Sequence, residues 1–183
     1  MAEQGAVLIL AGGRSRRMGT DKAQLQVREE SLLEWQRHRL LPLGLPVWHS
    51  GPDGIVDAWD DFRGPLAGIH SAISRYPEIP FWVVIPVDMP MVPLVRLRQL
   101  VGGLSDGYPV TFTDAPLPLG LPVKPGMKET LAGWLEDPDG PRSLRALMNY
   151  FHGRWLAEML SDQECLNVNT PDDWIRFQAG PDY

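Results

Sequence analysis

An α/β fold is what this sequence predicts, with a mostly parallel sheet carrying helices on both faces. Three observations carry that expectation. Val7–Leu10 and Phe81–Ile85 are continuous apolar runs, the pattern of strands buried on both faces rather than of a half-exposed sheet. Strand signals alternate along the chain with helical stretches that have their own start and stop residues. That alternation implies right-handed crossovers between parallel strands. The 183 residues are enough for one domain, 1–183, and the architecture is that of a Rossmann-like three-layer sandwich.

The elements follow in order. After the first strand and a glycine-rich turn, Leu25 and Val27 alternate with polar residues, as in a short extended piece. Ser31-Leu-Leu-Glu34 has the spacing of a capping box and opens a helix that Pro42 closes. Leu45–Trp48 reads as a second strand and Ile55-Val56 as a third, very short one. Gly64-Pro65 opens a helix through Arg75, with proline at the first position. Phe81–Ile85 is the strongest strand and should be central. A helix opens at Pro93, runs to about Leu100 and is closed by Gly102-Gly103. Val110–Thr113 is a strand. Pro116–Val123 alternates apolar residues but contains three prolines, which predicts an edge strand or an extended loop. Met127–Leu135 and Pro141–Tyr150 read as helices, Trp155–Met159 as a strand, and Pro171 starts a last helix with Thr170 as N-cap.

Composition narrows the function classes. The net charge of −6 argues against a general nucleic-acid binder, which is usually basic. The single cysteine, Cys165, rules out an internal disulfide framework and a cysteine-based zinc site, and fits a reducing compartment. The N-terminal residues do not read as a signal peptide, and no apolar run approaches the roughly 20 residues of a membrane span. The expectation is a cytoplasmic protein with no membrane and no nucleic-acid partner. The 18 prolines are spread along the chain as punctuation between elements.

The chemistry is concentrated after the first strand. Ala11, Gly12 and Gly13 let the backbone turn sharply and approach a ligand, and Arg14, Arg16, Arg17 and Lys22 place four cations within residues 14–22. A buried strand running into such a loop suits a polyphosphate. Neither the P-loop spacing nor the dinucleotide fingerprint is present. Asp88 follows the second buried run between Pro86 and Pro90; it could hold Mg²⁺ with substrate phosphates, or cap the helix near Pro93, and position alone leaves both readings open. Ligands of such sheets bind beyond the carboxyl ends of the strands, so the glycine loop and Asp88 should meet at one edge. Asp57, Asp60 and Asp61 form an acidic cluster that could simply be solvated. Asn167 and Asn169 flank Val168, and alternation puts both side chains on one face. His38, His49, His70 and His152 are scattered and form no metal or catalytic spacing.

The ungapped run Leu10-Ala11-Gly12-Gly13-Arg14-Ser15-Arg16-Arg17-Met18-Gly19-Thr20-Asp21-Lys22 resembles the signature of small nucleotidyltransferases. Within them it is most similar to the molybdenum cofactor guanylyltransferases, the MobA family. Residues 64–68, 86–90 and 167–171 resemble further family motifs in the family order. The resemblance implies that GTP and the molybdopterin form of the molybdenum cofactor give the guanine dinucleotide cofactor and pyrophosphate, with Mg²⁺ held by Asp88. It implies nucleotide binding by Leu10, Ala11, Gly12, Gly13, Lys22, Asp57 and Asp88, catalytic roles for Lys22, Arg17 and Asp88, and an active-site place for Gly64, Asn167 and Asn169. Proteins of cofactor synthesis and of molybdoenzyme maturation would be its partners. Two departures stand out. Val87 replaces the cysteine of the family's Pro-Cys-Asp-x-Pro, and Trp48-His49-Ser50 lacks the asparagine that contacts nucleotide there. Cytidylyl relatives read Ala-Ala-Gly where this chain has Ala11-Gly12-Gly13, which favours guanine. A cytidylyl or sugar-phosphate enzyme of the same fold, or a non-catalytic nucleotide or cofactor carrier, remain the alternatives.

Overall fold

The computed structural model describes residues 4–11, 22–59, 61, 63–113 and 115–180. In chain order the elements are β1 (Ala6–Leu10), β2 (Gln26–Val27), β3 (Glu30–Ser31), α1 (Leu32–Leu40), β4 (Val47–Ser50), α2 (Pro65–Arg75), β5 (Phe81–Pro86), α3 (Leu94–Gly103), β6 (Val110–Thr113), β7 (Ala115–Pro122), α4 (Met127–Glu136), α5 (Leu144–Tyr150), β8 (Arg154–Met159) and α6 (Pro171–Gln178). The main sheet has the order β4-β1-β5-β7-β6-β8, with β2 and β3 a separate two-residue hairpin. β1 is parallel to β4 and β5, and β6 to β8; β7 alone runs the other way.

The apolar runs behave as two-sided strands must. Ala6, Leu8 and Leu10 of β1, with Trp82 and Val84 of β5, pack under α2, α4 and α5. Val7 and Ile9, with Val83 and Ile85, pack on the opposite face under α1, α3 and α6. Each fully buried Val, Leu or Ile in these layers contributes about 1.5–3 kcal/mol of transfer free energy. Helices on both faces of a mostly parallel sheet make the three-layer α/β architecture.

Several local expectations shift. β4 begins two residues later than the apolar pattern proposed, and Ile55 makes only a single parallel bridge to Ser50 instead of a strand. At α1 the Ser31 hydroxyl accepts from the Glu34 N–H at 3.2 Å, whereas the Glu34 carboxylate pairs with Arg37. α5 starts at Leu144, because the Ser143 hydroxyl caps the Ala146 N–H at 3.1 Å.

The largest shift concerns the proline-rich segment. It is neither edge nor loop but β7, paired on both sides. On the β5 side the ladder runs from Phe81–Pro122 to Val84–Leu119; on the β6 side it covers Val110–Gly120 and Thr111–Leu119, then slips to Phe112–Ala115. Pro116 and Pro118 fall within that slip and Pro122 ends the strand, so none has to donate to a regular central ladder. The buried Thr111 hydroxyl lies 2.6 and 2.8 Å from the carbonyl oxygens of Ala115 and Pro118 and shares its proton between them.

Candidate functional site at the carboxyl edge of the sheet

The carboxyl ends of β4, β1 and β5 lie side by side. Leu10 is paired with Ser50 on one flank and with Pro86 on the other. The Val87 N–H donates to the Leu10 carbonyl at 3.0 Å, which carries the β1–β5 alignment one residue past the sheet. Ala11, where the chain leaves β1, donates its N–H to the Ser50 hydroxyl at 3.3 Å. The root of the glycine loop and Asp88 therefore meet at one edge, as strand order and direction require. Gly12, Gly13 and Arg17 lie outside the described residues, as does the side chain of Lys22, whose backbone opens a short 3-10 turn, Lys22–Gln24.

Asp88 is half-buried, one residue beyond Val87, which is packed into the core on the α1 and α3 face. A branched apolar residue in place of the family's cysteine thus serves packing and leaves the carboxylate position intact. The Asp88 carbonyl accepts from the Val168 N–H at 2.8 Å. That bond docks the Asn167–Asn169 segment directly on Asp88. Val168 is fully buried and Asn167 is exposed with its amide donating to the Cys165 carbonyl at 3.1 Å. Asn169 follows, and its N–H donates to the Asp173 carboxylate at 3.1 Å. Thr170 and Asp173 complete a reciprocal capping box at the start of α6. The Thr170 hydroxyl and the Asn169 and Thr170 N–H groups hold the Asp173 carboxyl below the usual range.

Asp57 stands on the loop after β4. Its neighbour Ala58 donates N–H to the Ser71 hydroxyl of α2 at 3.2 Å. The Asp57 Oδ1 atom is buried and has no partner among the described residues, and burial pushes its carboxyl up. A buried carboxylate oxygen without a donor is costly unless a ligand N–H or O–H supplies one. Ile55, Val56 and Ala58 around it line, with Ser71, Ser74 and Tyr76, an open groove of about 530 Å³. Gly64 caps α2 with φ 78° and ψ −169°, a region essentially reserved for glycine, so backbone geometry explains that residue without any ligand. Gly68 lets α2 approach the strand ends: a Cβ there would stand 3.0 Å from Leu10 Cδ2 and 3.3 Å from Ser50 Oγ.

Of the residues that sequence reading brought into view, Leu10, Ala11 and Asp88 meet at one edge with the Asn167–Asn169 segment docked on Asp88, while Asp57 stands on the loop after β4 and Gly64 at the start of α2. Sequence reading named Ser50 only as part of a segment that departs from the family, and it passed over Gln36. Ser50, which occupies the region where the family's asparagine is missing, is 3% exposed and ties β4 to Ala11. Gln36 of α1, fully buried, reaches the backbone just ahead of Asp88. A lone amide among the leucines on the core-facing side of α1 was the only sign of it. Among the described residues no group of three or more His, Cys, Asp or Glu could cage a metal ion. A single carboxylate instead suits a Mg²⁺ whose remaining oxygens come from phosphates and water.

Residues 7–158 match the family model described as the MobA-like NTP transferase domain. The chain belongs to this family. A curated relative, molybdenum cofactor guanylyltransferase of Xanthomonas euvesicatoria pv. vesicatoria, is 35% identical over 93% of this chain and 92% of its own. Among solved structures the fold is similar to molybdopterin-guanine dinucleotide biosynthesis protein A from Archaeoglobus fulgidus, at TM-score 0.75 and 22% identity over 95% of this chain and 97% of that one. It is also similar to Rv0371C of Mycobacterium tuberculosis in complex with manganese, at TM-score 0.65 and 21% identity over 98% of this chain and 100% of that one. No helix among the described residues is long and apolar enough to cross a membrane.

Proposed function

We propose that this chain transfers GMP from GTP to the molybdopterin form of the molybdenum cofactor, giving molybdopterin guanine dinucleotide and pyrophosphate. The observation that carries the reading is the meeting of Leu10-Ala11, Ser50 and Asp88 at one sheet edge with the Asn167–Asn169 segment docked on Asp88. The name of the Xanthomonas relative supports guanine and the pterin acceptor.

A terminal phosphate oxygen of the pterin attacks the α-phosphorus of GTP. The new P–O bond forms as the bond to the β-phosphate oxygen breaks, and both electrons leave with pyrophosphate. The nucleophile is already ionised near neutral pH, so no side chain has to remove a proton, in keeping with the scattered histidines. The obstacle is repulsion between two anions and the charge that builds on the leaving group. N–H groups at Gly12-Gly13, Arg17 and Lys22 are the cationic and dipolar groups proposed to meet that charge. Mg²⁺, for which Asp88 with Asn167 or Asn169 beside it is a suitable holder, would supply charge neutralisation at the phosphates. Asp57 offers its buried Oδ1, without a partner among the described residues, to a donor of the nucleotide. Gly64 works through the α2 backbone. A cytoplasmic place of work and contact with maturation proteins belong to the same reading.

The test is product formation from purified molybdopterin cofactor with GTP or CTP, followed by pyrophosphate release and product mass. GTP-dependent formation of the guanine dinucleotide is expected. Preference for CTP would reassign the base, and tight GTP binding without transfer to the pterin would make the protein a carrier.

A further inference from the structure

Gln36 is fully buried on α1 among Leu32, Leu33 and Leu40, where an unpaired amide would cost several kcal/mol. Its amide nitrogen lies 3.4 Å from the Pro86 carbonyl oxygen and 3.3 Å from that of Val87, the two residues immediately before Asp88. Its amide oxygen accepts from the Arg39 guanidinium at 2.9 Å. An arginine can only donate, so the oxygen must face Arg39 and the nitrogen must face the two carbonyls. Arg39 is itself anchored. It donates to the Val92 carbonyl beyond the other end of the Asp88 turn, and its guanidinium carbon lies 5.5 Å from the Trp35 ring centroid.

The turn that carries Asp88 is thus gripped from α1 at both ends, at 86–87 through Gln36 and at Val92 through Arg39. Leu10 and Val168 hold it from the other directions, at 3.0 and 2.8 Å. We propose that Gln36 is a positioning residue for the metal-holding carboxylate. Its amide fixes the carbonyls of Pro86 and Val87 and thereby the place of Asp88, and Arg39 fixes the amide. The inference rests on the reading of Asp88 as the Mg²⁺ holder. Mg²⁺ demands near-ideal octahedral geometry, so a small displacement of a lone protein carboxylate weakens its binding. Residues that orient ligands from behind are typically worth about 10- to 100-fold in metal affinity.

The test compares the parent protein with Q36M, Q36E, R39M and D88N. Q36M keeps the length and bulk of Gln36 without the N–H groups, and Q36E keeps the acceptor for Arg39 but loses the donor. Mn²⁺ binding in the presence of GTP is read from the spin-resonance signal of the free ion, beside the Mg²⁺ dependence of GMP transfer and the melting temperature. Both Gln36 variants should weaken Mn²⁺ about tenfold and raise the half-saturating Mg²⁺ by a similar factor, with much of kcat returning at high Mg²⁺. R39M, which leaves the amide in place but free to turn, should shift both in the same direction by less. A Q36M protein that melts lower but titrates with metal like the parent would overturn the proposal. Should Q36M not fold, an R39M midpoint equal to the parent's would overturn it as well. If D88N itself binds Mn²⁺ normally, the Asp88 reading falls and this one with it; an unmoved Q36M beside a D88N that binds none removes the positioning role alone.

Discussion

Asp88→Asn keeps the volume of the side chain and removes the charge proposed to hold Mg²⁺. Transfer should fall on the order of a thousandfold or more with the melting temperature nearly unchanged, measured at saturating GTP over a Mg²⁺ series. Normal turnover at ordinary Mg²⁺ would take the metal away from Asp88. Asp57 makes a different prediction because its Oδ1 is buried without a described partner and burial raises its pKa. As pH falls, it takes up a proton earlier than an exposed aspartate, whose usual value is about 3.9. A protonated carboxyl is a poorer acceptor for a nucleotide donor. The KM for GTP should therefore begin to rise on acidification at a higher pH than titration of an exposed aspartate would give, and D57N should remove that acid limb. An acid limb that persists in D57N would place the titrating group elsewhere. Both aspartates were visible in the sequence. Gln36 was not, because a glutamine on a helix announces nothing until the carbonyls it faces are known.

Elements turn these residues into a site, and α2 shows how. Gly68 brings it against Leu10 and Ser50, and Gly64 caps its start with a φ of 78° that no side-chain-bearing residue adopts easily, while a Cβ there would meet no atom within 4 Å. Gly64→Ala should cost about 1–3 kcal/mol of stability through backbone strain alone. Thermal unfolding would show that loss together with weaker GTP binding. Weaker binding at an unchanged melting temperature would instead mean that the glycine makes room for ligand. β7 is the converse lesson. Three prolines legible in the sequence argued for an edge, yet the slip between Thr111 and Phe112 places Pro116 and Pro118 where no regular ladder donor is needed. Local chemistry stated the constraint on proline correctly, and the register of the neighbouring strand met it in another way.

At the scale of the whole molecule, stability is expected to vary with pH through two histidines, His70 and His49. His70 is 9% exposed on α2, its ring centroid 4.9 Å from that of Trp59, with Nδ1 buried and no partner among the described residues. Burial, and then Lys128, push its pKa below the usual value of about 6.5. His49 moves the same way through burial and Arg37. The neutral imidazoles are favoured in the folded state, while unfolded chains bind protons near pH 6.5. The unfolded state therefore binds more protons below that pH, and stability drops as pH falls through about 6.5 toward the folded pKa values. Melting temperatures between pH 7.5 and 5.5 should decline, and H70Q should flatten part of the slope. A parent melting temperature independent of pH over that range would show that neither ring stays neutral in the fold.

The amino-acid sequence by itself determined the α/β class, the two-sided strands and most helix starts, because burial pattern, capping and turn chemistry act over a few neighbouring residues. It also determined that Leu10 and Asp88 share an edge, because both follow buried parallel strands directly. Tertiary structure alone decided that β7 is central, that Val168 docks on the Asp88 carbonyl, that Ser50 ties down Ala11 and that Gln36 grips the Asp88 turn. The last three are pairings between groups 39 to 80 positions apart, from Ala11 with Ser50 to Asp88 with Val168. Whether a polar side chain finds its partner at such a distance is settled by register and layer packing, which no local pattern records.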